Sequence, residues 1–213
     1  MFRFGLACLW LFLALLANPA AAGPWPRAVG EGFLSFGRTS GNGVQAYLEY
    51  GLRDRLVFEL GLERGADGRR LDAALRWHPP DPGFGLVSGV SLGLRLRPED
   101  PVRQRLTLGL TLGRGFETGA GNLWARAGLQ LLAPRHPVIR RPELDLTAQI
   151  GLRSGPWLGM LGVSHYRNRF GSETRFRPAL GREMHPRLTL VGEAVLDRSG
   201  RREGLNLSLW SRF

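Results

Sequence analysis

The chain has 213 residues, 43% of them hydrophobic, with a formal net charge of +11 and a sequence pI near 11.4. All 29 basic residues are arginine and they are dispersed along the chain, which argues against the clustered basic stripe of a nucleic-acid-binding surface. A single cysteine rules out a disulfide framework, and four histidines leave little material for metal or histidine-dependent catalytic sites.

The first segment, "MFRFGLACLWLFLALLANPAAAG", has Arg3 ahead of an apolar run from about Phe4 to Leu16, then the small residues Ala20, Ala21 and Ala22. This is the layout of a secretory signal peptide, too short and wrongly flanked for a spanning helix. We therefore expect a signal peptide over 1–22, cut after Ala22, and one domain over 23–213. Cys8 has only seven residues before it, too few for a lipoprotein cysteine, and leaves with the signal. Export further weighs against a nucleic-acid partner. No later segment approaches the ~18 consecutive apolar residues of a helical span.

From residue 32 onward a period of two dominates, the mark of half-buried strands. In "RLVFELGLER" Leu56, Phe58, Leu60 and Leu62 share one face, with Val57, Glu59, Gly61 and Glu63 on the other. In "RRLDAALRW" Leu71, Ala73, Leu75 and Trp77 oppose Arg70, Asp72, Ala74 and Arg76. "RQRLTLGLTLG" sets Leu106, Leu108, Leu110 and Leu112 against Arg105, Thr107, Gly109 and Thr111, and "NLWARAGLQL" and "ELDLTAQIGLR" repeat the pattern. Breakers such as "HPPDPGFG", "PEDP", "RSGP" and "DRSG" separate the runs. The reading predicts strands over 32–39, 43–52, 55–64, 69–78, 85–97, 103–114, 120–132, 142–153, 156–167, 173–182, 186–197 and 203–213. "PWLGMLGVSHY", apolar on both faces, and "TRFRPALGR", interrupted by Pro178, fit this pattern least well.

Three features favour lipid around these strands. The runs match the ~9–11 residues that cross a bilayer at a tilt, against ~5–6 in soluble sheets. One face is almost purely Leu, Ala, Val and Phe, while the other mixes charge with glycine and hydroxyls. Aromatics (Tyr50, Phe58, Trp77, Trp157, Phe176 and Phe213) stand near strand ends, as in interfacial girdles.

Together with the final strand "GLNLSLWSRF", these features resemble the Gram-negative outer-membrane β-barrel proteins as a broad class. The resemblance implies an all-β fold: a single antiparallel transmembrane β-barrel of about twelve strands, with 10–14 admissible. It also implies that Leu209, Trp210 and Phe213 form the signal read by the barrel-assembly machinery, and that the protein resides in the cell outer membrane. An even strand number places turns near 53, 80, 116, 154 and 184 in the periplasm and loops near 41, 66, 100, 137, 170 and 200 outside. The outer segments carry Arg64, Arg69 and Arg70; Arg135, Arg140 and Arg141; Arg167 and Arg169; and Arg198, Arg201 and Arg202. Guanidinium groups pair with phosphate, so outer-membrane lipid, in particular lipopolysaccharide phosphates, is an expected partner.

Parity sets Arg70, Arg76, Arg95, Arg97, Arg105, Arg126, Arg153, Arg175, Arg177 and Arg212 on the inner wall. Glu49, Glu59, Glu63, Asp72, Asp145 and Glu193 share that wall. The excess of positive charge makes a small passive channel for polar or anionic solutes the leading function. The same residues would interlock in a plugged, structural barrel that binds glycolipid, since twelve strands lie between side-chain-filled and open barrels. A third reading is a lipid-modifying enzyme based on His165. Ser164 beside it points to the opposite face, so the two form no dyad. No HExxH, His-x-His or calcium-loop spacing occurs, and no cofactor, metal or catalytic residue is expected.

Overall fold

The computed structural model describes residues 26–40, 42–65, 68–80, 85–100, 104–135 and 142–213. The signal segment with Cys8, and His136, Arg140 and Arg141, lie outside the described residues.

Twelve strands follow in chain order: β1 (Gly32–Thr39), β2 (Gly43–Arg53), β3 (Leu56–Gly65), β4 (Gly68–Trp77), β5 (Val87–Leu96), β6 (Arg105–Thr118), β7 (Gly121–Pro134), β8 (Glu143–Ser154), β9 (Trp157–Asn168), β10 (Gly171–His185), β11 (Leu188–Leu196) and β12 (Arg202–Arg212). Each pairs antiparallel with its sequence neighbours, and β12 returns to β1 with Phe33 opposite Arg212 and Thr39 opposite Asn206. The result is a closed, all-β meander. Closure leaves no unpaired sheet edge, the condition for a sheet to sit in lipid.

The two faces behave as their residues dictate. On β6 the side chains of Leu106, Leu108, Leu110 and Leu112 are exposed on the outside, whereas Arg105, Thr107 and Gly109 are buried on the inside. The outer band continues through Phe36, Leu62, Leu75, Leu92, Leu161, Leu180, Leu205 and Leu207, all exposed. An apolar surface that encircles the molecule far exceeds the patches soluble monomers leave in water, so this face meets hydrocarbon. From Leu106 to Phe116 the rise of ~3.3 Å per residue projects to about 25 Å at the ~40° tilt of such barrels, the height of a bilayer core. The protein is thus a membrane β-barrel.

Even strand number puts both termini at one end, with the β2–β3, β4–β5, β6–β7, β8–β9 and β10–β11 connections; we call this the terminal end. The other six connections form the distal end. Strand limits match the sequence reading closely, with the largest differences in β6, which extends to Thr118, and β10, which spans Gly171–His185. Pro178 sits within β10 and pairs with Leu161 of β9. On the β11 side the ladder runs from Phe176↔Leu196 to Ala179↔Glu193 without a step between, because proline has no N–H to donate.

"PWLGMLGVSHY" is apolar on both faces because β9 serves two environments. Leu161 faces lipid, while Leu158 and Met160 join Trp124 and Val191 in a small apolar cluster inside the barrel, with Ala179 and Trp210 packed against it.

Candidate functional site: the barrel lumen

Register alone would create trouble on the inner wall. Glu49 of β2 stands directly opposite Glu59 of β3, and Arg95 of β5 directly opposite Arg105 of β6. Like charges in such cross-strand positions destabilise a sheet. Side chains from neighbouring strands resolve both cases. Arg76 of β4 pairs with Glu49 at 2.9 Å and with Glu59 at 3.0 Å. Arg27, ahead of β1, adds a 2.8 Å pair to Glu49, and the Tyr47 hydroxyl lies 2.9 Å from Glu49 and 2.7 Å from Glu59. Arg95 pairs with Asp72 at 2.7 Å and donates to Gln130, while Arg105 pairs with Glu143 at 2.9 Å. Tyr166 donates to the other Glu143 oxygen at 2.5 Å.

Towards the distal end Arg70 bridges Glu63 at 2.6 Å and Asp72 at 3.1 Å. Arg175 pairs with Glu173 and Glu203, and Glu193 takes Arg177 at 3.8 Å and the Asn206 amide at 2.8 Å. Towards the terminal end Arg153 pairs with Glu183.

These networks lie against the wall and leave a cavity of about 1160 Å³ along the barrel. It extends from Arg27, Arg187, Arg212 and Phe213 at the terminal end to Glu63, Arg70, Arg95 and Asp145 towards the distal end. Among the described residues, eight arginines and six carboxylates line it, so its charge is positive. Arg126 of β7 lies opposite Gln149 and has no carboxylate partner among the described residues, and its side chain is open to the lumen. Asp145 likewise has no ion pair and stands opposite Gln130.

Of the residues read from sequence, Arg70, Arg76, Arg95, Arg126, Arg153, Glu59, Glu63, Asp72 and Asp145 border this cavity. Arg97, Arg105 and Glu193 do not. Arg97 lies past the end of β5, in a turn where the Asp100 amide donates to its carbonyl. Arg105 is held in the wall by Glu143, and Glu193 by Arg177 and Asn206. Parity selects a face, but access depends on what folds over each side chain.

Arg27, Glu143 and Tyr166 were not foreseen. The first precedes any strand, and Tyr166 follows the blurred β9 pattern. An aromatic side of the lumen was also missed: Phe33, Tyr47, Trp124 and Trp210 border the cavity, with Phe33 edge-on to Trp210 at 5.6 Å and to Tyr47 at 6.5 Å. The outer face carries His165, whose Nδ1 lies 2.8 Å from Thr174 Oγ1, across the wall from Ser164. No group of three potential metal-ligating side chains occurs among the described residues.

A closed twelve-stranded antiparallel barrel with a lipid-facing exterior and a polar interior has the fold of the outer-membrane β-barrels. No family model and no curated protein matches this sequence. Among solved structures the chain is similar to the KdgM porin, with 7% identity and a TM-score of 0.67 over 86% of this chain and 99% of that one. It is similar to the KdgM porin in complex with disordered oligogalacturonate (5% identity, TM-score 0.61, 86% and 98% covered). The NanC porin also matches (11% identity, TM-score 0.60, 85% and 98% covered). At these identities the likeness is one of fold.

Proposed function

We propose that the protein is a small passive channel of a Gram-negative outer membrane that passes polar solutes and prefers anions. The observation that carries this reading is the 1160 Å³ lumen with Arg126 facing it unpaired. Most lumen carboxylates are matched by arginines within salt-bridge distance, so they neutralise the wall without attracting cations strongly. An unmatched guanidinium raises the local concentration of anions. The aromatic side adds ring faces on which the C–H surface of a sugar stacks. The KdgM porin solved with oligogalacturonate therefore makes an acidic oligosaccharide the first solute to try here. The C-terminal strand, with Leu209, Trp210 and Phe213, is proposed to be the segment that the barrel-assembly machinery reads. Single-channel recording in a planar bilayer tests the channel: stable open levels with a reversal potential on the anion side are expected. A silent but folded and inserted barrel would refute it and favour a structural barrel closed by the internal Trp124–Leu158–Met160–Val191 cluster.

A further inference from the structure

The arginines on the membrane-facing surface are unevenly placed. On the wall formed by β1–β4 one cross-strand row at the distal edge reads Arg38, Val44, Arg64, Arg69. With strands ~4.8 Å apart, its three arginines fall within about 15 Å of one another. The row beneath, closer to the membrane centre, reads Phe36, Ala46, Leu62, Leu71, with Phe36 and Leu62 well exposed. At the terminal edge of the same wall the corresponding side chains are Tyr50, Phe58 and Trp77. The terminal edge thus mixes these aromatics with Arg53, which stands opposite Leu56, whereas the distal row gathers three guanidinium groups and no aromatic.

Within the arginine row Arg64 and Arg69 oppose each other directly, an arrangement that costs stability unless an anion lies nearby. Among the described residues, Glu99 supplies an internal anion. Glu99 meets Arg69 Nε at 2.5 Å and accepts from the Arg69 amide at 3.2 Å. This bond to Arg69 holds the Glu99 carboxyl below the usual carboxylate range. Arg64 has no carboxylate partner among the described residues, and Arg38 reaches only the Asn42 side-chain oxygen at 3.5 Å. Arg64, Gly65, Gly68, Arg69 and Glu99 enclose a hollow of about 410 Å³.

We propose that this rim binds a phosphorylated lipid. Arg38 and Arg64 hold its phosphate, Arg69 joins when Glu99 yields, and the acyl chains lie on Phe36 and Leu62. The occupant follows from the juxtaposition: bidentate anion donors immediately above an exposed apolar strip. This site is on the outer wall and does not depend on the channel reading.

The test titrates the refolded chain in detergent with a bis-phosphorylated diglucosamine lipid, its dephosphorylated counterpart, and inorganic phosphate, following occupancy by native mass spectrometry. The phosphorylated lipid is expected to bind, and R38S/R64S to weaken it about tenfold or more, the scale of losing bidentate charge-assisted bonds. E99Q, which removes the internal competitor, is expected to tighten binding about threefold, reading the same site without deleting a donor. R182S, whose guanidinium sits over Trp157 near the terminal end, serves as the control and is expected to leave binding unchanged. Equal binding of the dephosphorylated lipid would overturn the proposal, as would unchanged binding in R38S/R64S. Full competition by inorganic phosphate would reduce the site to an anion site and also overturn the lipid assignment. Conductance of the same variants is expected to be unaltered, so failure here is distinct from failure of the channel.

Discussion

Arg76 is the point at which the inner wall is most exposed to failure. Its side chain is 5% accessible and that of Glu49 4%, and it is the arginine that touches both of two glutamates set directly opposite each other. Among the described residues, replacing it by alanine leaves Glu59 with only the Tyr47 hydroxyl and Glu49 with Arg27 and Tyr47. Removing one member of a buried charge network costs about 3–5 kcal/mol. Because two partners remain on Glu49 and the network borders the open lumen, the low end applies: about 3 kcal/mol, or roughly 150-fold in the unfolding equilibrium. Urea titration of the barrel refolded in vesicles, followed by fluorescence of the interior tryptophans Trp124 and Trp210, measures this directly. Adding Glu59→Gln to an Arg76→Met chain is expected to recover most of the loss, since Glu49 keeps Arg27 and no uncompensated charge then remains. A cost below about 1 kcal/mol for Arg76→Ala would show that water screens the network, and the reasoning for every other lumen pair would fall with it.

Two further outcomes follow from close contacts. A side chain at Gly151 would place its Cβ 2.4 Å from the Trp124 ring, so Gly151→Val must push that ring away from β8 into the cavity it borders. Conductance is expected to fall and stability to drop by about 1–3 kcal/mol, the usual range for overpacking; unchanged conductance would remove Trp124 from the account of the lumen. At the seam, Phe213 exchanges two backbone hydrogen bonds with Gly32 and lays its ring where a Cβ of Gly32 would be. Phe213→Ala keeps the backbone bonds, so refolding in vitro is expected to persist while insertion by the cellular assembly machinery slows several-fold, checked by pulse-chase labelling; equal insertion rates would dismiss the assembly role.

The alternation of Leu106–Leu112 against Thr107–Thr111 made the strands and their lipid face legible, because a barrel wall has one dry face along every strand. Parity also set Glu63 and Arg70 on the inner wall, where the β3–β4 register places them opposite each other. What could not be read were bonds made off register. Arg76 reaching diagonally to Glu49, Arg27 entering from ahead of β1, and Arg105 bending to Glu143 two strands away depend on side-chain reach and on closure of the barrel. The β9 strand was placed to within a residue, but its alternation was blurred because the interior is locally apolar around Leu158 and Met160 and period two loses its contrast there.

The central claim is a lumen whose unpaired Arg126 sets ion preference. The most direct measurement is the reversal potential of single channels in a salt gradient, for the wild type and for Arg126→Ser. An anion-selective open level is expected, with selectivity reduced severalfold in the variant because no neighbouring carboxylate is released by the change. A cation-selective channel, or the same anion preference in both proteins, would contradict the account.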